Sequence, residues 1–194
     1  TKADHILIGG GMAFTFLKAK GINTGKSIID EESLEFAKTM IEKYPEKIVL
    51  PVDVNAFEEF NNDSNNRFVK VEELTENEMG LDIGPETIEL FTSILRDAKT
   101  VFWNGPLGVY EFEKCTIGSQ KILEALVNFG TTTILGGGDI VAAAGDLGYK
   151  DKVTHASTGG GATLEYLEGK TLPGLEAIEQ VTESNGKTVY TKSL

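Results

Sequence analysis

The segment Thr131-Thr132-Thr133-Ile134-Leu135-Gly136-Gly137-Gly138-Asp139-Ile140 indicates how this chain folds. Its first five residues are β-branched or aliphatic, which is typical of a strand. The three glycines that follow form a tight turn, and the pattern after them predicts a short helix over residues 140–144. A strand that leads through a turn into a helix is half of a βαβ unit, and such units build parallel sheets.

The same pattern recurs near both ends of the chain. Residues 5–8 are a predicted strand that enters a second glycine triplet before a helix over residues 12–20. Residues 153–157 are a predicted strand that enters a third triplet before a helix over residues 162–168. Further strands are predicted at residues 47–50 and 100–103, and further helices at residues 30–44, 87–98 and 117–129.

This alternation of strands and helices predicts an α/β fold. We expect a Rossmann-like open, mostly parallel sheet with helices on both faces, which is a three-layer arrangement. Asp30 is the expected N-cap of the helix over residues 30–44, and Gly130 is the expected glycine after the helix over residues 117–129. Residues 57–66 are polar and predict a surface loop with a hairpin nearby.

The charge and hydropathy of the chain exclude several classes of protein. There are 18 Lys and Arg residues against 30 Asp and Glu residues, which gives a formal net charge of -12. This charge argues against nonspecific binding to nucleic acid or to an anionic membrane, because both need a basic surface. The sequence has no apolar run near the ~20 residues that span a bilayer, and its first residues do not resemble a signal peptide. We therefore expect a cytoplasmic protein.

Disulfide and zinc chemistry have little support in the sequence. The single cysteine, Cys115, excludes an internal disulfide framework and a cysteine-based zinc cage, and we expect it to be a small buried residue. His5 and His155 lie far apart in the sequence and do not form the paired spacing of a zinc hydrolase.

Glycine is the unusual feature of the composition. Of the 22 glycines, thirteen fall in five clusters. They are Gly9, Gly10, Gly11; Gly80, Gly84; Gly105, Gly108; Gly136, Gly137, Gly138; and Gly159, Gly160, Gly161. Four clusters follow a predicted strand, so we expect them at the carboxyl edge of the sheet, where open α/β sheets bind ligands. Glycine lets N–H groups approach a ligand, and a helix N-terminus attracts phosphate, so the clusters favour a phosphorylated ligand over tight turns without one.

The chain matches neither of two common phosphate-binding fingerprints. The dinucleotide pattern G-x-G-x-x-G fails because Phe14 stands where the third glycine is required. The segment Gly21-Ile22-Asn23-Thr24-Gly25-Lys26-Ser27 resembles a P-loop, but it is one residue short and follows a predicted helix instead of a strand. We expect a surface turn there.

Two carboxylates accompany the glycine clusters. Asp139 stands at the start of a predicted helix, where it is an N-cap, a ligand that holds Mg²⁺ on nucleotide phosphates, or both. Glu111 follows Trp103-Asn104-Gly105-Pro106 on the same predicted edge. It either accepts hydrogen bonds from ribose hydroxyls or is simply solvated.

Six motifs occur in order along the chain. They are Gly9-Gly10-Gly11-Met12-Ala13-Phe14-Thr15-Phe16, Leu50-Pro51-Val52-Asp53, Gly80-Leu81-Asp82-Ile83-Gly84-Pro85-Glu86, Trp103-Asn104-Gly105-Pro106-Leu107-Gly108-Val109-Tyr110-Glu111, Gly136-Gly137-Gly138-Asp139 and Ser157-Thr158-Gly159-Gly160-Gly161-Ala162. From about His5 to Ala177 the chain closely resembles the C-terminal, nucleotide-binding domain of the phosphoglycerate kinase family. The resemblance implies a glycolytic enzyme that transfers phosphate between 1,3-bisphosphoglycerate and ADP, giving 3-phosphoglycerate and ATP.

The resemblance also implies which residues hold the nucleoside. Four residues would flank the adenine, two on each side: Gly10 and Gly11, and Gly80 and Leu81. Asn104 and Pro106 would lie along the ribose and phosphates. Glu111 would hold the ribose hydroxyls.

The implied phosphate site uses the later glycine clusters. Gly137 and Gly138 would donate backbone N–H groups to phosphate, and Asp139 would hold Mg²⁺. Gly159 to Gly161 would open a helix whose N-terminus faces the transferred phosphoryl group. Gly138, Gly160 and Gly161 would stabilise the charge of the transition state, which is the main task in phosphoryl transfer.

The chain departs from the family pattern in three ways. We expect that the family's other lobe, whose basic patch and arginines bind the glycerate substrate, is missing. The motif Gly-Gly-Ala-Lys-Val, whose lysine contacts the nucleotide phosphates, and the strand before it would lie upstream of Thr1. Ile140 stands where the family usually has Ser or Thr, so a hydroxyl beside the phosphates is lost and weaker nucleotide binding is expected.

We therefore expect residues 1–180 to be an incomplete nucleotide-binding domain and residues 181–194 to be a tail or linker, with no boundary before about Gly174. The expected partners are ADP and ATP with Mg²⁺, and the phosphoglycerates only together with the missing lobe. The full enzyme is expected to be a monomer that binds neither nucleic acid nor membrane, and this chain alone is expected to be inactive. The alternative is a non-catalytic structural or regulatory fragment with an incomplete nucleotide edge.

Overall fold

The computed structural model describes residues 2–173, 179–184 and 187–191, so Gly174 and Ala177 lie outside the described residues. The strands are β1 (Ile6–Leu7), β2 (Ile48–Val49), β3 (Asp53–Phe57), β4 (Asn66–Lys70), β5 (Met79–Ile83), β6 (Thr100–Asn104), β7 (Thr132–Gly136), β8 (His155–Ser157), β9 (Glu179–Ser184) and β10 (Lys187–Thr191). The helices are α1 (Gly10–Ala19), α2 (Leu34–Lys43), α3 (Pro85–Leu95), α4 (Ile117–Phe129), α5 (Gly138–Asp146) and α6 (Gly160–Glu168). Within the described residues, none of the helices has the length and apolar character needed to cross a bilayer.

Parallel pairing organises the strands that lead into the glycine triplets. β1 pairs with β2, and β7 lies between β6 and β8, all in parallel. α1 packs against α2, and α3 packs against α4. The prediction of a three-layer α/β fold with mostly parallel sheets is confirmed, and each predicted strand lies within two residues of its expected bounds.

A small antiparallel sheet is the main element that the sequence did not predict. β3 lies between β4 and β5 and pairs with both in the antiparallel direction. β3 and β4 form a hairpin around residues 58–65, so the expected polar loop and the hairpin expected near it are both present, whereas β5 was not expected. Every residue of β3 is buried, although two of its five residues are polar. Asp and Asn are residue types that are depleted in strands, so the strand signal of this segment is weak although its first four residues alternate between polar and apolar.

The polar side chains of β3 are buried because they have hydrogen-bond partners. The two carboxylate oxygens of Asp53 accept the backbone N–H groups of Thr87, at 2.7 Å, and Glu86, at 3.0 Å, in the first turn of α3. The side-chain amide of Asn55 donates to the carbonyl of Lys114 at 3.0 Å. These bonds fix β3 to α3 and to the turn that precedes α4.

Both predicted helix ends are found, one of them with a shifted boundary. Gly130 ends α4 in the left-handed conformation, with φ 67°, as expected. Asp30 accepts a hydrogen bond from the N–H of Glu32, but it caps a 3-10 turn, Glu31–Ser33. The α-helix begins after this turn at Leu34, so its predicted start at residue 30 is corrected.

The largest hydrophobic core lies between the β6–β7–β8 sheet and helices α3, α4 and α5, and includes Phe91, Trp103 and Leu135. A smaller cluster joins Cys115 to Leu81. Cys115 is fully buried, which confirms the expectation for this residue, and burial raises the pKa of its thiol to about 12. A thiol with this pKa is neutral near pH 7 and therefore a poor nucleophile.

Part of the expected C-terminal tail is paired. β9 and β10 run antiparallel to each other, with Lys187 opposite Ser184. The division of the chain at residue 180 stays a prediction.

Candidate functional site

The carboxyl ends of three parallel strands meet at one edge. Asn104, the last residue of β6, is in register with Gly136 of β7, and Gly136 is in register with Ser157 of β8. The side-chain amide of Asn104 donates to the carbonyl of Gly136. The glycine turns that follow β7 and β8 therefore lie side by side.

Gly160, the first residue of α6, is buried against this edge. A Cβ atom at this position would lie 2.6 Å from Nδ2 of Asn104 and 2.8 Å from Cα of Gly137. Gly161 is exposed, and a Cβ atom there would meet open space. The close packing of the two turns therefore requires glycine at position 160 but not at position 161.

A main-chain hydrogen bond holds the glycine turn before α5. The N–H of Gly137 donates to the carbonyl of Ser157 at 2.8 Å. The expectation that Gly137 offers this N–H to phosphate is therefore corrected, because the group is already paired with β8. Gly138 and Asp139 occupy the first turn of α5, where N–H groups have no acceptor within the helix. They are the donors that this turn presents to an anion.

A second group of the expected site residues lines a cavity of about 660 Å³. They are Gly10, Gly11, Gly80, Leu81 and Pro106. The cavity lies between the N-terminus of α1, β5 and the segment that follows β6, and its volume is typical of a small-molecule site. Because Pro106 follows Asn104 by two residues, one short segment connects the cavity to the edge formed by β6, β7 and β8.

Three hydrogen bonds fix the walls of this cavity. The N–H of Gly10 donates to the carbonyl of Leu107 at 3.2 Å, and the N–H of Val109 donates to the carbonyl of Leu81 at 2.9 Å. The N–H of Leu107 donates to Oγ of Ser119 at 2.9 Å. Gly10 has φ 61°, a conformation that favours glycine.

The P-loop-like segment lines the same cavity, which the sequence did not predict. Lys26, Ser27 and Ile28 form part of the wall. The N–H of Lys26 donates to the carbonyl of Glu78 at 2.8 Å, and the N–H of Gly80 donates to Oγ of Ser27 at 3.0 Å. The turn is therefore packed onto the start of β5, and Ser27 is buried where a surface turn was expected.

Two exposed apolar side chains lie at the cavity. Ile28 is 74% exposed and Phe60 is 63% exposed. Phe60 also packs against Phe112, with ring centroids 4.9 Å apart. A flat apolar ligand would cover both side chains. Phe60 was not among the predicted site residues, and the signal for it is an aromatic residue within an otherwise polar loop.

Asp139 is exposed in the first turn of α5 and does not cap that helix. The N-cap position is Gly137, so the N-cap interpretation of Asp139 is wrong. The described residues contain no group of three or more His, Cys, Asp or Glu that could hold a metal ion. A Mg²⁺ ion at Asp139 would have one protein carboxylate and would take its other ligands from phosphate and water, which is usual for Mg²⁺.

The negative charges of Glu111 and Asp139 both act on the hydroxyl group of Tyr110. The pKa of Tyr110 is raised, first by removal of its hydroxyl from water and then by the negative charges of Glu111, Asp139 and Asp146. The two carboxylates expected at the site, Glu111 and Asp139, therefore both act on this tyrosine. An anionic ligand here needs N–H donors or a cation to offset this charge. Glu111 itself is exposed, and its contact with ribose stays a prediction.

Ile140 lies in the main hydrophobic core and is fully buried, in the same cluster as Trp103 and Leu135. The expectation that a hydroxyl is lost beside the phosphates is corrected, because the side chain at this position faces the core. Ile140 can contact a ligand at the edge through its backbone N–H.

The comparisons with known proteins cover most of the chain. The family model for phosphoglycerate kinase matches residues 1–170. A phosphoglycerate kinase from Lactobacillus delbrueckii subsp. bulgaricus is 56% identical over 178 residues, which are 91% of this chain and 44% of that protein. A phosphoglycerate kinase from Listeria welshimeri is 54% identical, over 92% of this chain and 45% of that protein.

Solved structures give the same result. The phosphoglycerate kinase structure from Coxiella burnetii matches with a TM-score of 0.85 and 38% identity, over 90% of this chain and 46% of that one. The structure from Pyrococcus horikoshii matches with a TM-score of 0.79 and 29% identity, over 90% of this chain and 44% of that one. The chain thus spans less than half the length of these relatives. Because the family model matches residues 1–170, the chain belongs to the phosphoglycerate kinase family.

Proposed function

We propose that this chain binds ADP and ATP and is the nucleotide-binding part of a phosphoglycerate kinase. In the complete enzyme, phosphate passes between 1,3-bisphosphoglycerate and ADP to give 3-phosphoglycerate and ATP. The observation that carries the proposal is the continuity between the cavity and the strand edge. The segment from Asn104 to Pro106 joins an apolar cavity large enough for a base to an edge where two helices begin.

The base would occupy the cavity, between Gly10 and Gly11 on one wall and Gly80 and Leu81 on the other. These positions leave backbone surface accessible, and the exposed side chain of Ile28 adds apolar area at the same site. Pro106 would lie along the ribose, and the exposed carboxylate of Glu111 would accept its hydroxyl hydrogens.

The phosphates would lie against the first turns of α5 and α6. Gly138 supplies a free N–H at the start of α5, and Gly160 and Gly161 supply free N–H groups at the start of α6. Donors fixed in the backbone need no reorganisation when negative charge develops on the transferred group, so these three glycines would stabilise the transition state. They attract phosphate locally, although the net charge of -12 by itself disfavours an anionic ligand.

Asp139 would hold Mg²⁺ beside these phosphates. When bound, the ion neutralises phosphate charge and draws the phosphate oxygens into one geometry. Asp139 fits this role because it is exposed, lies within the same turn as Gly138 and is not used as a helix cap.

Phosphoryl transfer would need groups beyond those described here. We propose that 3-phosphoglycerate and 1,3-bisphosphoglycerate bind only when a second lobe faces this edge, and that the complete enzyme is a cytoplasmic monomer. The chain alone would bind nucleotide without turning it over.

A second candidate function is structural, with an incomplete nucleotide edge. Within residues 2–173, β1 is paired on the side of β2 and β6 is paired on the side of β7, and neither strand has a second partner. A groove lined by Ile6, Leu7, Ile8 and Asn104 lies along these strands. If this groove deforms the edge at the carboxyl ends of the strands, the chain would fold but would not bind ADP.

Calorimetric titration with Mg-ADP separates these functions. The proposal expects saturable heat, with thermal protection by ADP but not by NAD. Mixing the chain with a separately made N-terminal lobe is expected to produce kinase activity. The structural alternative is supported if ADP gives no heat and the mixture gives no activity, and protection by NAD alone would indicate a dinucleotide site.

A further inference from the structure

Asp82 is a buried carboxylic acid in the wall of the cavity. It lies in β5 between Leu81 and Ile83, and it is only 4% exposed. Its Oδ2 accepts the N–H of Gly118 at 2.9 Å, and its Oδ1 accepts the N–H of Ile83 at 2.9 Å. Because Gly118 is in the first turn of α4, the carboxyl group meets the positive end of that helix.

Two glycines make the space in which this carboxyl group fits. A Cβ atom at Gly108 would lie 2.6 Å from Cγ of Asp82, and a Cβ atom at Gly118 would lie 2.3 Å from its Oδ1. Gly108 lines the cavity next to Val109, whose N–H donates to the carbonyl of Leu81 in β5. Asp82 therefore contacts three elements at once: β5, α4 and the segment that follows β6.

Among the residues that the structure describes, the hydrogen-bond partners of the Asp82 carboxyl group are N–H groups and not cations. On β3, its register partner is the neutral side chain of Asn55. The turn before α4 places the Cys115 thiol near it, and the negative charge of Asp82 helps to raise the pKa of that thiol to about 12, so the thiol stays neutral near pH 7. The ammonium group of Lys114 in the same turn donates to the carbonyl of Ser64.

Burial raises the pKa of Asp82 to about 7, against the lowering effect of the N–H bonds from Gly118 and Ile83. Near neutral pH both protonation states of Asp82 are therefore populated. Any change that dries the cavity wall or brings negative charge near it shifts this balance toward the neutral acid.

We propose that Asp82 is a positioning residue that ties the two cavity walls to α4 and takes up a proton from solvent when a nucleotide fills the cavity. This inference rests on the proposed nucleotide binding. The phosphates of a bound nucleotide add negative charge near the cavity wall, which favours the protonated form of the buried carboxyl group. By linkage, nucleotide affinity falls as the pH rises through neutrality.

The test is calorimetric titration of Mg-ADP near pH 7, in two buffers with different enthalpies of ionisation. The wild-type chain is expected to take up a fraction of one proton more than the Asp82→Asn variant, and protons released by ADP itself cancel in this difference. Between about pH 6 and pH 8, wild-type affinity is expected to fall roughly threefold to tenfold more than that of Asp82→Asn. Asp63→Asn, which changes an exposed carboxylate in the loop between β3 and β4, is expected to behave as wild type.

Carboxyl-carbon NMR of the wild-type chain provides a second measurement if Asp82→Asn fails to fold. The titration midpoint of Asp82 is expected to rise when ADP is added. ADP binding with an unchanged midpoint, or with equal proton uptake in wild type and Asp82→Asn, would overturn this inference alone. Absence of any ADP binding would overturn the proposed function as well.

Discussion

The N–H of Gly137 donates to the carbonyl of Ser157 at 2.8 Å, so the pairing of β7 with β8 continues into the glycine turn. Gly137 adopts φ 122° to make this bond, a conformation that side chains rarely allow. The bond connects the turn before α5 to the strand before α6. The sheet therefore fixes the two helix N-termini relative to each other.

The packing around Gly160 predicts different outcomes for two adjacent glycine substitutions. Gly160→Ala would place a Cβ atom 2.6 Å from Nδ2 of Asn104 and 2.8 Å from Cα of Gly137, so we expect a loss of about 1–3 kcal/mol in the free energy of unfolding. Gly161→Ala has open space and a helical position, so we expect a gain of up to about 1 kcal/mol. Urea unfolding measures both. Equal effects of the two substitutions would contradict this packing.

Asp53 is predicted to stabilise the fold by capping α3 from a neighbouring strand. Its carboxylate accepts the N–H groups of Thr87 and Glu86, which lie in the first turn of α3. Asp53→Ala leaves these donors without their acceptor, and we expect a loss of about 1–3 kcal/mol in the free energy of unfolding. Asp63→Ala, at an exposed loop position, should change it by less than about 0.5 kcal/mol. A small effect at Asp53 would mean that water replaces the carboxylate.

The parallel strands could be predicted from the sequence because β-branched residues lie in or just before each of them and each is followed by a turn signal. β3 and β5 could not, because their Asp, Asn and Gly residues are of types that are depleted in strands. Asp53 and Asn55 are tolerated there through partners more than thirty positions away in the chain. Such long-range hydrogen bonds leave no local periodicity to read.

The site was predictable to a similar extent. The glycine clusters indicated the edge, since their position after strands is a local property. The use of the Gly137 N–H by Ser157, and the burial of Ser27 against Gly80, depend on how distant segments pack. Spacing within one segment carries no information about either contact.

The ion pair between Arg67 and Glu78 predicts acid-dependent stability. The guanidinium donates to both carboxylate oxygens, at 2.6 and 2.9 Å, and this side-chain pairing is the largest cause that lowers the pKa of Glu78 to about 2. Because this pKa lies below the ordinary value of 4.5, the unfolded chain binds a proton more readily than the folded one. The stabilisation is therefore complete above about pH 4.5 and is lost as the pH falls toward about 2.

Glu78→Gln tests this dependence. Near pH 7 we expect the variant to lose about 1.5–3 kcal/mol in the free energy of unfolding, because a charged acceptor is removed. The difference from wild type should shrink as the pH falls below about 4.5. A difference that stays constant from about pH 7 to pH 3 would show that the ion pair does not cause it.

The burial of Ile140 predicts that restoring a hydroxyl there does not improve nucleotide binding. Ile140→Thr buries a hydroxyl in the main core, and we expect a loss of about 1–3 kcal/mol in stability with ADP affinity within about twofold of wild type. Ile140→Val removes one methylene group, keeps the site apolar and should cost about 0.5–1.5 kcal/mol. Tighter ADP binding by Ile140→Thr, but not by Ile140→Val, would instead support a hydroxyl that reaches the phosphates.

Asp139 gives the sharpest test of the metal role, because the same helix offers a matched control. Asp139 is exposed in the first turn of α5, and Asp146 is exposed at its last residue. With Mg²⁺ present, Asp139→Ala is expected to weaken ADP binding roughly tenfold, about 1.4 kcal/mol, because the ion loses its protein ligand. Asp146→Ala removes the same charge at the other end of the helix and should leave the affinity within about twofold.

Chelation of Mg²⁺ separates the metal from the charge. Without the ion, Asp139 only repels the phosphates, so Asp139→Ala should bind ADP at least as tightly as the wild-type chain. With Mg²⁺ the wild-type chain is expected to bind ADP more tightly than Asp139→Ala. When EDTA replaces Mg²⁺ in the calorimeter, this order of affinity is expected to be lost or reversed. If Asp139→Ala leaves the binding heat and affinity unchanged with Mg²⁺ present, the carboxylate does not hold the ion. Its negative charge in the first turn of α5 would then only stabilise the helix through the helix dipole.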